Sequence, residues 1–378
     1  MPLKKVLILY NWFLPAYKAG GPIQSLANLV REANDEYEFF IICSNTEFKE
    51  AAPLPNILPN TWVPFENRAS VYYLSKSSTG VRAIRKLIKQ VNPDIVFANG
   101  MYSLPFALYP VCLSGTKTIF SARGMFHPGA LSQKPLKKKL FLSAFRLMGL
   151  HKKVTFHATD GKEQQYIRQQ FGDGVQTGIA GNFPHVQAFS QSPPKKVGSV
   201  ILGSISLISA MKNHLLVIKA LHFCLHKVVY YIYGPVKDHE YWAECQEAMK
   251  TLPANITVEY KGEIPPAEIN GVMKDFQYFI LPSKAENFGH AIFEALTAGK
   301  PVITSFFTPW NDLQNERAGF NVNIESVKSI SAAIDMSANQ PVEEYLEWRH
   351  ASRNLALNKV DLKVLRNQYR DLFNQVTK

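Results

Sequence analysis

LPSKAENFGHAIFEALTAGKPVITS, residues Leu281–Ser305, decides how this chain reads. The apolar run ending at Leu281 has the make-up of a strand, and Pro282–Asn287 supplies the turn after it. Phe288, Ile292, Ala295 and Leu296 then recur at helical spacing, and Gly299 stops the helix before the next strand. A strand–loop–helix unit with Asn287 or Gly289 at the helix start offers free backbone N–H groups and a positive dipole end, a seat for phosphate. Glu286 precedes the helix and Glu294 lies about five residues inside it, or ~7–8 Å along its axis. Carboxylates accept paired hydrogen bonds from sugar hydroxyls. A nucleotide-sugar asks for that order, with diphosphate in the middle, ribose on one side and hexose on the other. The spacing of two glutamates eight apart is common in itself; the flanking strands, the ENFGH loop and the helix give it weight.

Outward from this unit, short β-branched runs alternate with helical patterns along the whole chain. Strands are expected at Val6–Tyr10, Phe39–Cys43, Ile95–Ala98, Lys117–Phe120 and Val154–Ala158, then at Ser199–Gly203, Val228–Tyr233, Ile256–Tyr260, Gln277–Leu281 and Pro301–Ser305. Most are continuously apolar, as in parallel sheets covered on both faces. Amphipathic helices are expected between them at Gln24–Glu32, Val81–Val91, Glu163–Phe171 and His214–Leu225. This is the βαβ rhythm of open doubly wound sheets. It breaks at Gln187–Gly198 (QAFSQSPPKKVG), which reads as a linker. The chain of 378 residues therefore divides into a first domain at 1–190, a second at 191–355, and a C-terminal segment at 356–378 whose helix packs back on the first domain.

Composition excludes several classes. With 46% hydrophobic, 12% aromatic and 19% charged residues, the chain is globular rather than disordered or fibrous. No apolar run reaches the roughly 18 residues of a membrane span, and the start shows no leader pattern. Four scattered cysteines suggest neither disulfide framework nor zinc module and fit a reducing cytoplasm. GxxxxGK[ST], GxGxxG after the first strand, GxSxG and HExxH are all missing. Ligands of two α/β domains are then expected in a cleft at the carboxyl ends of the strands.

The net charge of +12 is placed unevenly. Residues 1–190 hold 22 Lys and Arg against 11 Asp and Glu, whereas residues 191–378 hold 20 against 19. Between Asp94 and Asp160 there are nine basic residues and no acidic one. The first half therefore expects an anionic partner or presents a solvated basic face. Lys134–Lys153 (KPLKKKLFLSAFRLMGLHKK) places seven of these cations around a helix rich in Leu, Phe and Met. It reads either as an interfacial helix on anionic lipid or as a core helix with a basic end. No nucleic-acid-binding motif accompanies the charge, and no nucleic-acid partner is expected.

Leu281–Ser305 resembles the E-x7-E region of retaining GT-B glycosyltransferases, the large glycosyltransferase family 4. The ENFGH spelling and Thr308–Trp310 (TPW) resemble its bacterial polysaccharide and lipopolysaccharide branch. The resemblance implies a GT-B fold of two Rossmann-like domains. It implies donor-sugar contacts for Glu286, Asn287, Phe288 and Gly289, and ribose binding for Glu294. Trp310 is a core or hinge aromatic or a ligand contact. Ser206–Asn213 (SLISAMKN) resembles the family's SRISPxKN element, whose Arg and Lys neutralise the diphosphate leaving group. Lys212 matches the Lys, and Leu207 stands where the Arg is expected.

In the first domain, Pro15–Pro22 (PAYKAGGP) falls where the family has a glycine-rich loop near donor phosphate, so Gly20 and Gly21 are candidate donor contacts. Asn99 replaces the usual His of a His-Gly pair on the acceptor side. Arg123 in SARGM follows a strand; it is a candidate for phosphate or an anionic acceptor, a replacement for the missing Arg, or a surface salt bridge. His127 is a weaker acceptor-side candidate.

The expected activity is retaining transfer of a hexose from a UDP- or GDP-sugar to a growing bacterial surface glycan carried on a lipid. Lys212 and Glu286 form the catalytic pair, and no cofactor or metal is expected. The expected location is the cytoplasm or the inner face of its membrane. The alternatives are a non-catalytic nucleotide-sugar binder, motivated by Leu207, and a GT-B nucleotide-sugar epimerase.

Overall fold

The computed structural model describes residues 3–33, 35–113, 115, 118–131 and 135–377. Lys117 and Lys134, at the starts of an expected strand and of the basic segment, lie outside them. The chain forms two compact units, Met1–Phe183 with Leu362–Lys378, and Pro184–Asp361.

The first unit holds eight strands: β1 (Lys4–Leu9), β2 (Tyr37–Ser44), β3 (Trp62–Pro64), β4 (Ala69–Leu74), β5 (Ile95–Asn99), β6 (Thr118–Ser121), β7 (Val154–Ala158) and β8 (Thr177–Ile179). Their order in the sheet is β3-β4-β2-β1-β5-β6-β7-β8, parallel except for β3 against β4. Alternate residues of β1 serve opposite faces. Val6 and Ile8 join a core with Phe39, Ile41 and Phe97, while Leu7 and Leu9 join one with Ile42, Ile84 and Leu87. Helices on both faces are the reason the central strands carry no polar alternation.

The helix Leu362–Thr377 returns to this unit and buries Tyr369, Leu372, Phe373 and Val376. Tyr369 stacks on Phe183 at 5.3 Å, and Arg366 and Arg370 pair with Glu32 and Glu36 at 2.7 and 2.8 Å. Residues 356–359, expected to open this segment, instead finish the helix Val342–Lys359 of the second unit.

The second unit holds β9 (Ser199–Ile205), β10 (Lys227–Tyr233), β11 (Ile256–Gly262), β12 (Tyr278–Leu281), β13 (Val302–Ser305) and β14 (Gly319–Val322). All pair in parallel, in the order β11-β10-β9-β12-β13-β14. Numbered within the unit this is 3-2-1-4-5-6, the dinucleotide-fold order, and it reverses between β9 and β12.

The stretch read as a linker is not a loose spacer. Gln187 donates its N–H to Thr297 Oγ1 at 3.1 Å, and Ser190 N–H bonds to the Ala298 carbonyl at 3.0 Å. Four buried or half-buried cations collect its carbonyls: Arg353 takes Gln187, Arg349 takes Ser190, Lys300 takes Gln191 and Lys195 takes Lys196. Phe189 lies under the Arg349 guanidinium at 4.6 Å and stacks on His350 at 5.0 Å. The segment thus belongs to the second unit, and the division falls at 183/184 rather than 190/191. Pro-rich composition announced the absence of regular structure, but side-chain donors hold the segment down, three of these four from elsewhere in the chain.

Candidate functional site

The reversal between β9 and β12 is where open α/β sheets leave a crevice, and the loops leaving these two strands carry Lys212 and Glu286. They are laced together by backbone. Lys284 N–H donates to the Met211 carbonyl at 2.9 Å, and Asn213 Nδ2 donates to the Pro282 carbonyl at 3.2 Å. Asn213 sits in the left-handed region (φ 67°), which asparagine tolerates, and so turns the loop into the helix His214–Leu221. His214 anchors the same loop from below, between Ser206 Oγ (3.0 Å) and Tyr230 Oη (3.0 Å). Burial, with the Lys212 cation nearby, pushes its pKa down to about 3, so it is a neutral structural imidazole.

Lys212 Nζ reaches Glu286 Oε1 at 2.5 Å, and Ser283 Oγ donates to the same oxygen at 2.7 Å. The backbone fixes Glu286 as well, through its N–H to the Phe307 carbonyl at 3.2 Å. The carboxylate is therefore preset as an acceptor, with the ammonium beside it.

Three residues on, Gly289 caps the helix His290–Thr297 in the left-handed region (φ 77°). A Cβ there would press on Ile292 and Trp310, so glycine is required by both conformation and space. Trp310 is buried and its Nε1 donates to the Phe288 carbonyl at 2.7 Å. Of the two readings of Trp310, the structure gives the core aromatic; it braces the Asn287–Gly289 turn from behind.

Glu294 sits one turn inside that helix and is buried. Burial pushes its pKa up to about 8, opposed by a hydrogen bond from the Gln187 side chain. Burial thus favours the protonated carboxyl at neutral pH, and hydrogen-bond donors brought to it would favour the ionised form. Gln187 had no signal in the sequence, since it lies in the Pro-rich stretch more than a hundred residues away. Ser283 did have one: it stands three residues before Glu286, within reach of that carboxylate.

The first-unit candidates divide differently. Its sheet reverses between β1 and β5; Gly20 and Gly21 stand where the chain after β1 enters its helix, and Asn99 ends β5 with Gly100 next. Gly20 (φ 85°) turns the chain into the helix Gly21–Ala33. Asn99, expected toward an acceptor, is fully buried; its Nδ2 donates to the Phe97 carbonyl and its Oδ1 accepts from Arg123 Nε at 3.0 Å. Arg123 also donates through Nη1 to Asn182 Oδ1 at 2.9 Å and Ser25 Oγ at 3.3 Å. Expected to meet phosphate or an acidic acceptor, Arg123 instead ties the ends of β5 and β6 to the helix Gly21–Ala33 and to the segment after β8. His127 is exposed and packs edge-on to Tyr166 at 5.5 Å. Among the described residues no group of three or more His, Cys, Asp or Glu is placed to hold a metal ion.

Residues 186–355 match the model of the family Glycosyl transferases group 1. No curated protein matches the chain. Among solved structures, Anabaena HepE in complex with UDP and glucose superposes with a TM-score of 0.73 at 16% identity, covering 98% of this chain and 100% of that one. Sucrose-phosphate synthase from Thermosynechococcus elongatus gives 0.71 at 14% identity, covering 98% of both chains. WaaG, a glycosyltransferase involved in lipopolysaccharide biosynthesis, gives 0.65 at 14%, covering 98% of this chain and 99% of that one. The fold is therefore that of the GT-B glycosyltransferases.

Proposed function

We propose that this protein is a retaining glycosyltransferase that moves a hexose from a UDP- or GDP-sugar to a growing bacterial surface glycan on a lipid carrier. The observation that carries the reading is the Lys212–Glu286 pair beside the Gly289 helix start, at the reversal of the second sheet. The match of residues 186–355 to Glycosyl transferases group 1, and the UDP and glucose bound by HepE, support it.

In this reading Glu294 accepts the ribose hydroxyls, the N–H groups at Gly289 and the Lys212 ammonium receive the diphosphate, and Glu286 with the Asn287–Gly289 turn holds the hexose. Cleavage of the anomeric C–O bond leaves positive charge on the sugar ring and additional negative charge on the diphosphate. Lys212 and the helix start meet that negative charge where it develops, with no reorganisation to be done. No metal ion is required, because the lysine and the helix dipole supply the positive field. Glu286 is already held by Lys212 and Ser283, so it positions the sugar rather than attacking it. A second cation is due where Leu207 replaces the expected Arg. A lipid-borne acceptor also brings the protein to the inner face of the cytoplasmic membrane.

Thermal-shift screening against a panel of nucleotide-sugars, followed by turnover assays with the donor it selects, tests the proposal. Lys212→Ala should lower kcat by about 10²-fold, the range for one lost electrostatic stabiliser, and leave the fold intact. Leu207 favours one rival, a binder without turnover. Donor binding with no transfer to any glycan acceptor would establish it, and epimerisation without acceptor would establish a GT-B epimerase.

A further inference from the structure

The helix Pro135–Leu147 turns the wrong residues to solvent. Leu142 and Phe145 are buried in the first unit's core, yet Leu136, Leu140 and Leu147 are 82%, 72% and 88% exposed. At 100° per residue these three leucines fall within about 40° of one another, on the side opposite Phe145. Lys137 flanks the stripe on one side and Lys139 and Arg146 on the other, each about 80–100° from its centre. Single exposed leucines are ordinary, but three in line with cations at both margins are not. Ser143 and Ala144 fill the gaps between the leucines, so no bulky polar group interrupts the stripe.

We propose that this face lies flat on an anionic lipid surface. Leu136, Leu140 and Leu147 enter below the headgroups, and Lys137, Lys139 and Arg146 reach the lipid phosphates on either side. The charge argues for lipid over another protein. From Asp94 to Asp160 the chain offers no carboxylate to repel an anionic surface, and long basic side chains beside an apolar stripe suit the headgroup boundary. Among the described residues no helix is long and apolar enough to cross a membrane; the contact is along a surface. The proposal deepens the lipid-borne acceptor of the functional reading by naming the contact residues, and it rests on that reading only for its purpose, since the face needs no donor to bind.

Flotation of the full chain with phosphatidylcholine vesicles, with and without phosphatidylglycerol, tests it. The protein should float with the anionic vesicles and much less with the neutral ones. Replacing Lys137, Lys139 and Arg146 by Gln should weaken partitioning about fivefold per cation, on the order of 10² together. The combined Leu136→Ser, Leu140→Ser, Leu147→Ser variant should weaken it at least about tenfold and keep the wild-type melting temperature, since these side chains make no core. Equal flotation with both vesicle types, or wild-type flotation of the leucine variant, would overturn the proposal. So would a self-associated species without vesicles that the leucine variant abolishes, since the face would then belong to a second copy. Nucleotide-sugar binding, measured on the same samples, fails or holds independently of flotation.

Discussion

Glu294 shows how much a single side chain's surroundings decide. Its folded pKa of about 8 lies far above the ordinary 4.5 because the carboxyl is buried. The folded state therefore binds more protons than the unfolded chain between these values. This contribution to stability is fully present below pH 4.5 and is lost as pH rises through 8. Melting temperatures taken from pH 5 to 8 should fall more steeply for the wild type than for Glu294→Gln; parallel curves would remove the burial argument. Donor binding should run the other way. Ribose hydroxyls favour the carboxylate, so binding below pH 8 releases a proton, and affinity should rise toward pH 8 by up to about tenfold per unit. Calorimetry of a nucleotide-sugar in buffers of different ionisation enthalpy reads that proton directly, and Glu294→Gln should abolish it. The sequence showed Glu294 as a helix residue at the right distance from Glu286. It could not show the burial, which comes from the chain that packs over the helix, Gln187 included.

Among the elements, those with local punctuation were legible. The helix Val81–Val91 is bounded by Gly80 and by Asn92 in the left-handed region (φ 47°), and its ends were read without error. Ten expected strands correspond to β1, β2, β5–β7 and β9–β13. Four were passed over. β3 and β8 are three residues long, β14 is the short GFNV, and β4 (ASVYYL) alternates toward an edge instead of forming a continuous apolar run. The ties between elements were not legible, because each joins residues far apart in the chain. Arg123→Ala removes a knot among the ends of β5 and β6, the helix Gly21–Ala33 and Asn182. It should cost about 2–4 kcal/mol, roughly three hydrogen bonds from a charged group with their partners stranded. Chemical denaturation would show this as a lowered midpoint, with the affinity for the donor unchanged; a loss of donor affinity at full stability would return Arg123 to the ligand. Arg349→Ala should act similarly on the segment after Phe183, since it gives up the Ser190 and Gly299 carbonyls and the Phe189 ring.

The chain passes from its first unit to its second at 183/184 and comes back at 361/362. The returning helix fills the first core, with Tyr369 against Phe97 and Phe183 and Phe373 against Tyr37. Truncation after Asp361 removes the four buried side chains Tyr369, Leu372, Phe373 and Val376 and uncovers the core they pack on; each is worth about 1.5–3 kcal/mol of burial, and together they rival the stability of a domain. The truncated protein should lose the near-ultraviolet signal of the first unit and bind a hydrophobic dye, while the transition of the second unit persists. A single sharp transition at the wild-type temperature would refute this. Periodicity and glycine placement sufficed for two doubly wound sheets and for the strand–turn–helix unit that carries Glu286, Gly289 and Glu294. Both are local: a strand, a turn and a helix are specified by residues within one stretch of chain. Packing across the chain assigned the rest. It set Lys212 on Glu286 over a separation of 74 residues, buried Asn99 and tied the half-buried Arg123 to it, and fastened the Pro-rich stretch to the second unit. Hydrogen bonds and burial between distant segments depend on where each strand lies in the sheet, and strand order is fixed when the chain closes on itself, not by any run of neighbouring residues.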